Sequence, residues 1–254
     1  MMAQPPLSRA IQQLERRLGV VLLQRSARSV TLTAAGEVLL QEARIALEAV
    51  EAAEFRTRRA GAPRRALVLA AKAGASSALL SKILDAHACA PNAVEVEVTL
   101  VGPGQPESLL RSGRADVALL QRPYDDTTGL STADLHTEQQ VLVLPVDHPL
   151  ADRAPLSLAD VETVEDPPLP CWPRPDGTFP DGPGPRVRDH TQLLQLVSLG
   201  MARAVMPESL RPRFDDARVW IPLTDAPAVT TVIAWPAQTR SPLVEDFVRT
   251  AVQA

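Results

Sequence analysis

The first apolar pattern in the chain has the period of a helix. Its large apolar residues are spaced by four, three and four positions, which places them on one face: Leu7, Ile11, Leu14 and Leu18. Proline is accepted in the first turn of a helix, and Gly19 favours the end of one. The pattern predicts a helix over 4–18, with an apolar stripe that packs inward.

The other side of this helix is polar and carries groups that donate hydrogen bonds to phosphates and base edges. An apolar anchor, a basic turn containing Arg25 and Arg28, and a β-prone segment follow. A short hairpin with a basic tip beside a polar helix indicates a winged helix, whose wing reaches the DNA backbone or minor groove. The alternative for the helix alone is a solvated surface helix.

The motifs at these positions resemble the LysR-type transcriptional regulators. They are Gln4-Pro5-Pro6-Leu7-Ser8-Arg9, Leu14-Glu15, Leu18-Gly19, Arg25 and Leu32-Thr33-Ala34-Ala35-Gly36. The resemblance implies a recognition helix and DNA contacts from Gln4, Pro5, Ser8, Arg9, Gln12, Arg25 and Arg28. In such proteins one complete helix and most of another precede the recognition helix, so we expect an N-terminally incomplete helix-turn-helix here.

A second helix is predicted from Thr33, whose hydroxyl suits an N-cap, to about Phe55. Its apolar seam is narrow, which favours pairing with a second copy of the chain: Val38, Leu39, Ala43, Ala46, Leu47, Val50 and Ala53. The alternative is a core helix of a compact domain. The resemblance implies a dimerising linker helix, so we assign 1–59 to the DNA-binding domain with this linker and 60–65 to a hinge.

Beyond the hinge, strand and helix patterns alternate, which predicts a parallel sheet with helices on both faces. Strands are predicted at 66–71, 94–100, 116–120, 140–146 and 229–235, and helices at 76–88, 106–111, 191–200 and 243–252. The resemblance implies a two-lobed α/β effector domain like the periplasmic binding proteins over 66–254. Lobe I is expected at about 66–143 and 226–254, and lobe II at about 144–225.

Charge is distributed unevenly along the chain. Residues 1–65 carry eleven Arg and six Glu, a net charge of +5, whereas the remainder carries fifteen Lys or Arg and twenty-four Asp or Glu, a net charge of −9. This asymmetry localises contact with phosphates to the N-terminal part. No apolar run is long enough to span a membrane and no signal peptide is recognised, so a cytoplasmic protein is expected.

Catalytic and metal-binding motifs are not found. The segment Gly74-Ala75-Ser76-Ser77-Ala78 lacks the final glycine of a nucleophile elbow, and Gly102-Pro103-Gly104 does not continue into a phosphate loop. Cys89 and Cys171 lie far apart and lack metal-ligand spacing. We therefore expect neither an enzyme nor a bound metal or cofactor.

A small-molecule site is expected between the two lobes, where strand ends meet helix N-termini. The resemblance places the effector on Ser76, Ser77 and Thr191, with Gly74, Lys72, Gln121 and Trp172 as neighbours. The alternative for each serine is a helix N-cap. An effector with a carboxylate or another oxygen-rich group is expected.

The function implied is a LysR-type regulator that binds operator DNA as a homodimer or homotetramer and responds to an effector. Two alternatives stay open from the sequence. One is an effector-binding or dimerisation module without DNA binding, and the other is a solute-binding protein, which the lack of a recognised export signal disfavours.

Overall fold

The computed structural model describes residues 4–25, 30–61, 66–174, 178–212 and 214–254. The chain divides into two compact units, Met1–Glu54 and Phe55–Ala254.

The N-terminal unit contains a helix, a two-stranded wing and the start of a long helix. The elements are α1 (Gln4–Leu18), β1 (Leu23–Arg25), β2 (Val30–Leu32) and α2 (Ala34–Ala60). Strands β1 and β2 pair antiparallel, with Leu23 opposite Leu32. Helix α1 ends at Gly19, which adopts a φ of 72° that side chains other than glycine rarely accept.

The apolar stripe of α1 is only partly covered within this unit, contrary to the prediction that it packs inward. Ile11 and Leu14 are half-buried, whereas Leu7 is 49% exposed and Leu18 is 43% exposed. Few other apolar side chains of the described part of the unit are buried. Between α1 and β1, the buried residue is Leu22. Burial of the stripe therefore decreases toward both ends of the helix.

Helix α2 begins as the sequence predicts. The Thr33 hydroxyl accepts a hydrogen bond from the Gly36 N–H at 3.0 Å, which satisfies one of the free donors of the first turn. The helix continues to Ala60, five residues beyond the predicted end at Phe55. Residues 62–65 of the predicted hinge lie outside the described residues.

The first lobe of the C-terminal unit is built on a five-stranded sheet with the order β4, β3, β5, β10, β6. Its strands are β3 (Leu67–Lys72), β4 (Val96–Val101), β5 (Val117–Arg122), β6 (Leu130–Glu138) and β10 (Val229–Pro236). The predicted all-parallel sheet is wrong: β3 runs parallel to β4 and β5, whereas β10 is antiparallel to both β5 and β6. The reason is that β10 returns from the second lobe and enters the sheet from the opposite direction.

Helices cover both faces of this sheet, as its doubly apolar strands require. Along β3, Leu67 and Leu69 face the core formed with α3 (Ser77–Ala88) and α7 (Pro242–Gln253), where Phe247 is fully buried. The alternate residues Val68 and Ala70 face the core on the side of α4 (Gln105–Arg111).

The second lobe contains a three-stranded antiparallel sheet with the order β8, β7, β9. Its elements are β7 (Gln140–Pro145), α5 (Leu158–Glu162), α6 (His190–Ser198), β8 (Ala204–Pro207), a 3₁₀ turn (Glu208–Leu210) and β9 (Arg218–Pro222). Val141 and Val143 face the core with α6, and Leu142 and Leu144 face the core with α5. The chain leaves the first sheet at Glu138 and enters the second at Gln140, so β7 lies in the second lobe although the boundary was expected at about 143.

Candidate functional site

The polar side of α1 is open to solvent in the N-terminal unit. Arg9, Gln12 and Gln13 are exposed, and Ser8 is half-buried. Arg16 and Arg17 add positive charge in the last turn of the helix. Four of the residues predicted to contact DNA fall partly or wholly outside what the structure describes: the side chains of Gln4, Pro5 and Arg25, and all of Arg28.

The wing is held to α1 by one carboxylate. The Glu15 Oε1 atom accepts hydrogen bonds from the backbone N–H groups of Leu22 at 2.8 Å and Leu23 at 3.2 Å. On the other side, Thr33 donates its hydroxyl to the Val21 carbonyl at 2.7 Å. These local bonds explain why the Leu14-Glu15 and Leu32-Thr33 motifs occur at this spacing.

Gly36 completes this anchor because no larger residue fits. A Cβ atom at this position would lie 2.2 Å from the carbonyl oxygen of Leu22, closer than nonbonded atoms approach. The first turn of α2 is thereby packed directly on the backbone that precedes the wing.

A cleft of about 390 Å³ lies between the two lobes of the C-terminal unit. A volume of this order suits a small ligand. Of the predicted effector residues, Lys72, Gln121 and Trp172 line it. The other described residues along its wall are Pro103, Gly104, Glu107, Tyr124, Asp125, Asp126, Pro173, His190, Leu193, Val205, Met206 and Pro207.

A buried polar cluster forms the floor of the cleft on the side of the first lobe. Lys72 ends β3 and pairs with the Asp125 carboxylate at 2.6 Å, and its ammonium group also donates to the Gln121 Oε1 atom at 3.2 Å. Asp125 in turn accepts from the Gln121 backbone N–H at 2.6 Å. Since both charged side chains are almost fully buried, removing one partner would leave the other charge uncompensated.

Three buried polar atoms along the cleft have no hydrogen-bond partner among the described residues. They are the Glu107 Oε2 atom, the Gln121 Nε2 atom and the His190 Nδ1 atom. Glu107 is only 5% exposed, and burial raises the pKa of its carboxyl group, with a further increase from the charge of Asp125. An acceptor and a donor are therefore available here to a ligand.

His190 and Trp172 close the cleft from the second lobe. Their rings lie 5.2 Å apart, and burial, followed by the charge of Lys72, lowers the pKa of His190 to about 4. Trp172 is held by its neighbour Cys171, whose backbone N–H donates to Pro185 and whose carbonyl accepts from Val187. The imidazole is neutral at neutral pH and adds no positive charge to the cleft.

The remaining predicted effector residues lie beside the cleft and are not part of its lining. Gly74 adopts a φ of 77°, and a Cβ atom there would lie 3.0 Å from the Thr191 hydroxyl oxygen, so the two lobes meet at this glycine. Ser77 and Thr191 are exposed and Ser76 is half-buried. Ser76 precedes α3 with a φ of 52° and its side chain makes no cap hydrogen bond, whereas Asp189 caps α6 through the Gln192 N–H at 2.8 Å.

Sequence reasoning missed several residues that line the cleft, among them Glu107, Asp125 and His190. Glu107 reads as an ordinary acidic residue in the first turn of a short helix, and only its burial distinguishes it. His190 had a weak signal, because it adjoins Thr191 at a predicted helix start. Within the described ranges, no cluster of three or more His, Cys, Asp or Glu residues is arranged to hold a metal ion, and no helix has the length and apolarity needed to cross a membrane.

The N-terminal unit has a wing and an exposed basic and polar helix, and the C-terminal unit has two α/β lobes with a ligand-sized cleft. This combination is typical of one class of protein, the ligand-responsive DNA-binding regulators. Comparisons with known proteins give the family. Residues 1–37 match the model of the bacterial regulatory helix-turn-helix proteins of the lysR family, and residues 60–254 match that of the LysR substrate binding domain. The chain belongs to the LysR family of transcriptional regulators.

Curated relatives match nearly the whole of this chain. The Hca operon transcriptional activator HcaR of Escherichia coli K12 is 29% identical over 262 residues, covering 97% of this chain and 87% of its own length. The regulator AlsR of Bacillus subtilis 168 is 26% identical, covering 97% of this chain and 86% of its own length.

Solved structures agree with the fold. The oxidized form of OxyR from Corynebacterium glutamicum is 25% identical with a TM-score of 0.57, covering 99% of this chain and 84% of the OxyR chain. Full-length BenM is 24% identical with a TM-score of 0.59, covering 99% of this chain and 88% of the BenM chain. Full-length CbnR in complex with its target DNA is 23% identical with a TM-score of 0.56, covering 99% of this chain and 90% of the CbnR chain.

The family and the fold predicted from the sequence are thus confirmed. The chain is a DNA-binding transcriptional regulator with an effector-binding domain, it acts on operator DNA, it forms oligomers, and it is not an enzyme. Neither alternative left open by the sequence, a module without DNA binding or a solute-binding protein, is supported by these relatives.

Proposed function

We propose that the cleft between the lobes is the effector site of this regulator, and that Lys72, Gln121 and Trp172 contact the effector together with Glu107 and His190. The observation that carries the proposal is the pair of unpartnered buried atoms of Glu107 and Gln121 on the wall of a cleft of ligand size. Buried polar atoms without partners are costly, so a ligand that pairs with them stabilises the folded C-terminal unit.

Four further residues are kept in the proposed site as its rim. Gly74 touches Thr191 across the lobes, and Ser76 and Ser77 follow in the same loop and helix start. A ligand that moves one lobe relative to the other changes the contact between Gly74 and Thr191. The rim residues would therefore couple effector binding to the relative position of the two lobes. We propose the functional division as 1–59, 60–65 and 66–254, and the cytoplasm, where operator DNA lies, as the site of action.

The effector site is tested by ligand-induced thermal stabilisation of the full chain. In a metabolite screen, a compound that binds at a hundredfold excess over its Kd stabilises the folded protein by about 2.7 kcal/mol. Trp172→Ala should reduce or remove that shift, and Thr191→Ala should reduce it by roughly 1 to 3 kcal/mol if its hydroxyl contacts the effector.

Phe179→Ala is the matched control, because Phe179 is an aromatic residue of the same lobe that does not line the cleft. The variant should keep the wild-type shift. Equal shifts in wild type and Trp172→Ala would contradict the proposed site. A Ser76→Ala and Ser77→Ala double variant with the wild-type shift would remove these two residues from it.

We also propose that Ser8, Arg9 and Gln12 face the bases, with Gln4 and Pro5 at the start of the helix, and that Arg25 and Arg28 of the wing face phosphates. Exposure of Arg9 and Gln12 on a helix held beside the wing supports this. In gel-shift titrations, Arg9→Ala should weaken operator binding by about 1–3 kcal/mol and relax sequence preference, whereas Arg28→Ala should lower the salt slope by about 1.

Arg249→Ala is a charge-matched control, since Arg249 is exposed on α7 and pairs with Asp246. The Arg249→Ala variant should leave the operator affinity and the salt slope unchanged. Operator binding that is the same in wild type, Arg9→Ala and Arg28→Ala would contradict this arrangement.

A further inference from the structure

The chemistry of the cleft restricts the effector more narrowly than its size does. The described lining contains one cationic side chain, Lys72, and three carboxyl groups, Glu107, Asp125 and Asp126. Lys72 is already paired with Asp125 and bonded to Gln121. The lining therefore offers no uncommitted positive charge to an anionic ligand.

Glu107 is the carboxyl group along the cleft that has an unused oxygen. Its Oε2 atom has no partner among the described residues. The charged groups that act on it are Asp125, Lys72 and Arg111. Lys72 is engaged as described, and Arg111 donates to the Asp126 carboxylate at 2.8 Å and to the Thr128 carbonyl at 3.3 Å.

Asp126 does not offer a buried, unbonded carboxylate oxygen. It is exposed and its carboxylate is already bonded to Arg111 and to the Thr128 N–H. Glu107 is instead buried, so a ligand cation at its free oxygen would form a hydrogen bond in a poorly solvated place, where charge-assisted bonds are strongest. A ligand carboxylate at the same place would face the like charge of the ionised Glu107 carboxylate, and the described lining has no uncommitted cation to compensate it.

The rest of the wall is apolar or aromatic. Trp172 and Tyr124 supply aromatic rings, and Leu193, Val205 and Met206 supply aliphatic surface. Aromatic rings favour cations over their faces as well as apolar bodies. The wall therefore complements a molecule with an apolar body and one polar end.

We propose that the effector of this regulator is a small organic amine, with a cationic amino group bound by Glu107 and an apolar or aromatic body against Trp172 and Met206. This inference rests on the proposed effector cleft and goes beyond it, because it assigns the effector's charge and names Glu107 as the residue that selects it. It replaces the carboxylate-bearing effector expected from the sequence.

The test uses three probes of the same shape and different charge: benzylamine, benzyl alcohol and benzoate. Binding to the full chain is measured by calorimetry at millimolar concentrations, with thermal unfolding as the second readout. We expect benzylamine to bind more tightly than benzyl alcohol, and benzoate to bind most weakly.

Glu107→Gln keeps the shape of the side chain and removes its charge. It should weaken benzylamine binding by at least about tenfold, the effect of losing one charged hydrogen bond, and leave benzyl alcohol binding within about twofold of wild type. The variant should fold, because the amide replaces a buried carboxylate oxygen that has no partner. Glu97→Gln is the matched control, because it makes the same change at an exposed carboxylate on β4 outside the cleft lining, and it should leave benzylamine binding near the wild-type value.

Benzoate binding as tight as benzylamine, or benzylamine binding unchanged in Glu107→Gln, would overturn the inference. The effector cleft itself would still stand if Trp172→Ala weakened binding of whichever probe bound. If benzylamine bound with equal affinity to wild type, Glu107→Gln and Trp172→Ala, both the amine and the cleft would be refuted. Absence of binding by all three probes would overturn the amine assignment alone, since the metabolite screen tests the cleft independently.

Discussion

His190 is the residue whose ionisation the fold changes most clearly. Burial, and then the charge of Lys72, lower its pKa to about 4, whereas an unfolded histidine titrates near 6.5. As the pH falls from 6.5 toward 4, the unfolded chain takes up a proton that the folded chain does not. The stability that His190 contributes is therefore complete above pH 6.5 and is lost on acidification.

We predict that His190→Gln makes the C-terminal unit less sensitive to acid. Between pH 6.5 and 4, the free energy of unfolding of the wild type should fall by up to about 3 kcal/mol more than that of the variant. Urea unfolding followed across this range measures the difference. His136→Gln, which changes an exposed histidine on β6, is the control and should follow the wild type. Parallel pH profiles for wild type and His190→Gln would contradict the prediction.

At the scale of elements, the wing and α2 are joined by backbone contact. Thr33 and Glu15 satisfy the polar groups around Leu22, and Gly36 lets α2 begin directly against its carbonyl oxygen. The position of the wing relative to α1 thus depends on a glycine that carries no functional group.

We predict that Gly36→Ala destabilises the N-terminal unit by about 1–3 kcal/mol, the usual cost of overpacking. The added Cβ atom would lie 2.2 Å from the Leu22 oxygen, so α2 or the wing has to move. Operator affinity should fall in the same variant, because the wing is displaced. Circular dichroism melting and gel shift measure the two effects. Ala34→Ser, at an exposed position of the same turn, should change neither, and a Gly36→Ala protein with the wild-type melting curve would refute the contact.

At the scale of the whole molecule, α2 carries an apolar seam that the described chain leaves uncovered. Val38 is 61% exposed, Leu47 is 64% exposed and Val50 is 65% exposed. A helix with such a seam gains stability by packing on another helix, and the family forms oligomers. We expect this seam to be the contact between copies.

Leu47→Asp tests this by placing a charge in an interface that is expected to exclude water. The substitution should cost about 3–5 kcal/mol in the free energy of association. Sedimentation velocity should then give a smaller assembly than for the wild type. Gln41→Asp adds the same charge at an exposed position on the opposite side of the helix and should leave the assembly intact. A Leu47→Asp protein with the wild-type mass would show that the copies meet elsewhere.

The sequence by itself determined the features that depend on neighbours close along the chain. The helical period of α1, the Thr33 cap of α2 and the apolar strand β3 all follow from short-range spacing. The motifs between Gln4 and Gly36 carried the resemblance to the LysR family, and that resemblance implied the two-lobed fold. Lys72, Gln121 and Trp172, which the resemblance implied as neighbours of the effector, line the cleft between the lobes.

Only the tertiary structure decided which distant residues meet. The antiparallel entry of β10, the pairing of Lys72 with Asp125 and the unpartnered oxygen of Glu107 depend on contacts between segments far apart in sequence. Local patterns cannot specify these, since a strand's direction depends on the path of the chain before it, and a carboxyl group is altered by burial that neighbouring segments impose. For the same reason Ser76 and Ser77, which look suited to a ligand in the sequence, lie outside the lining, whereas Glu107 lies within it.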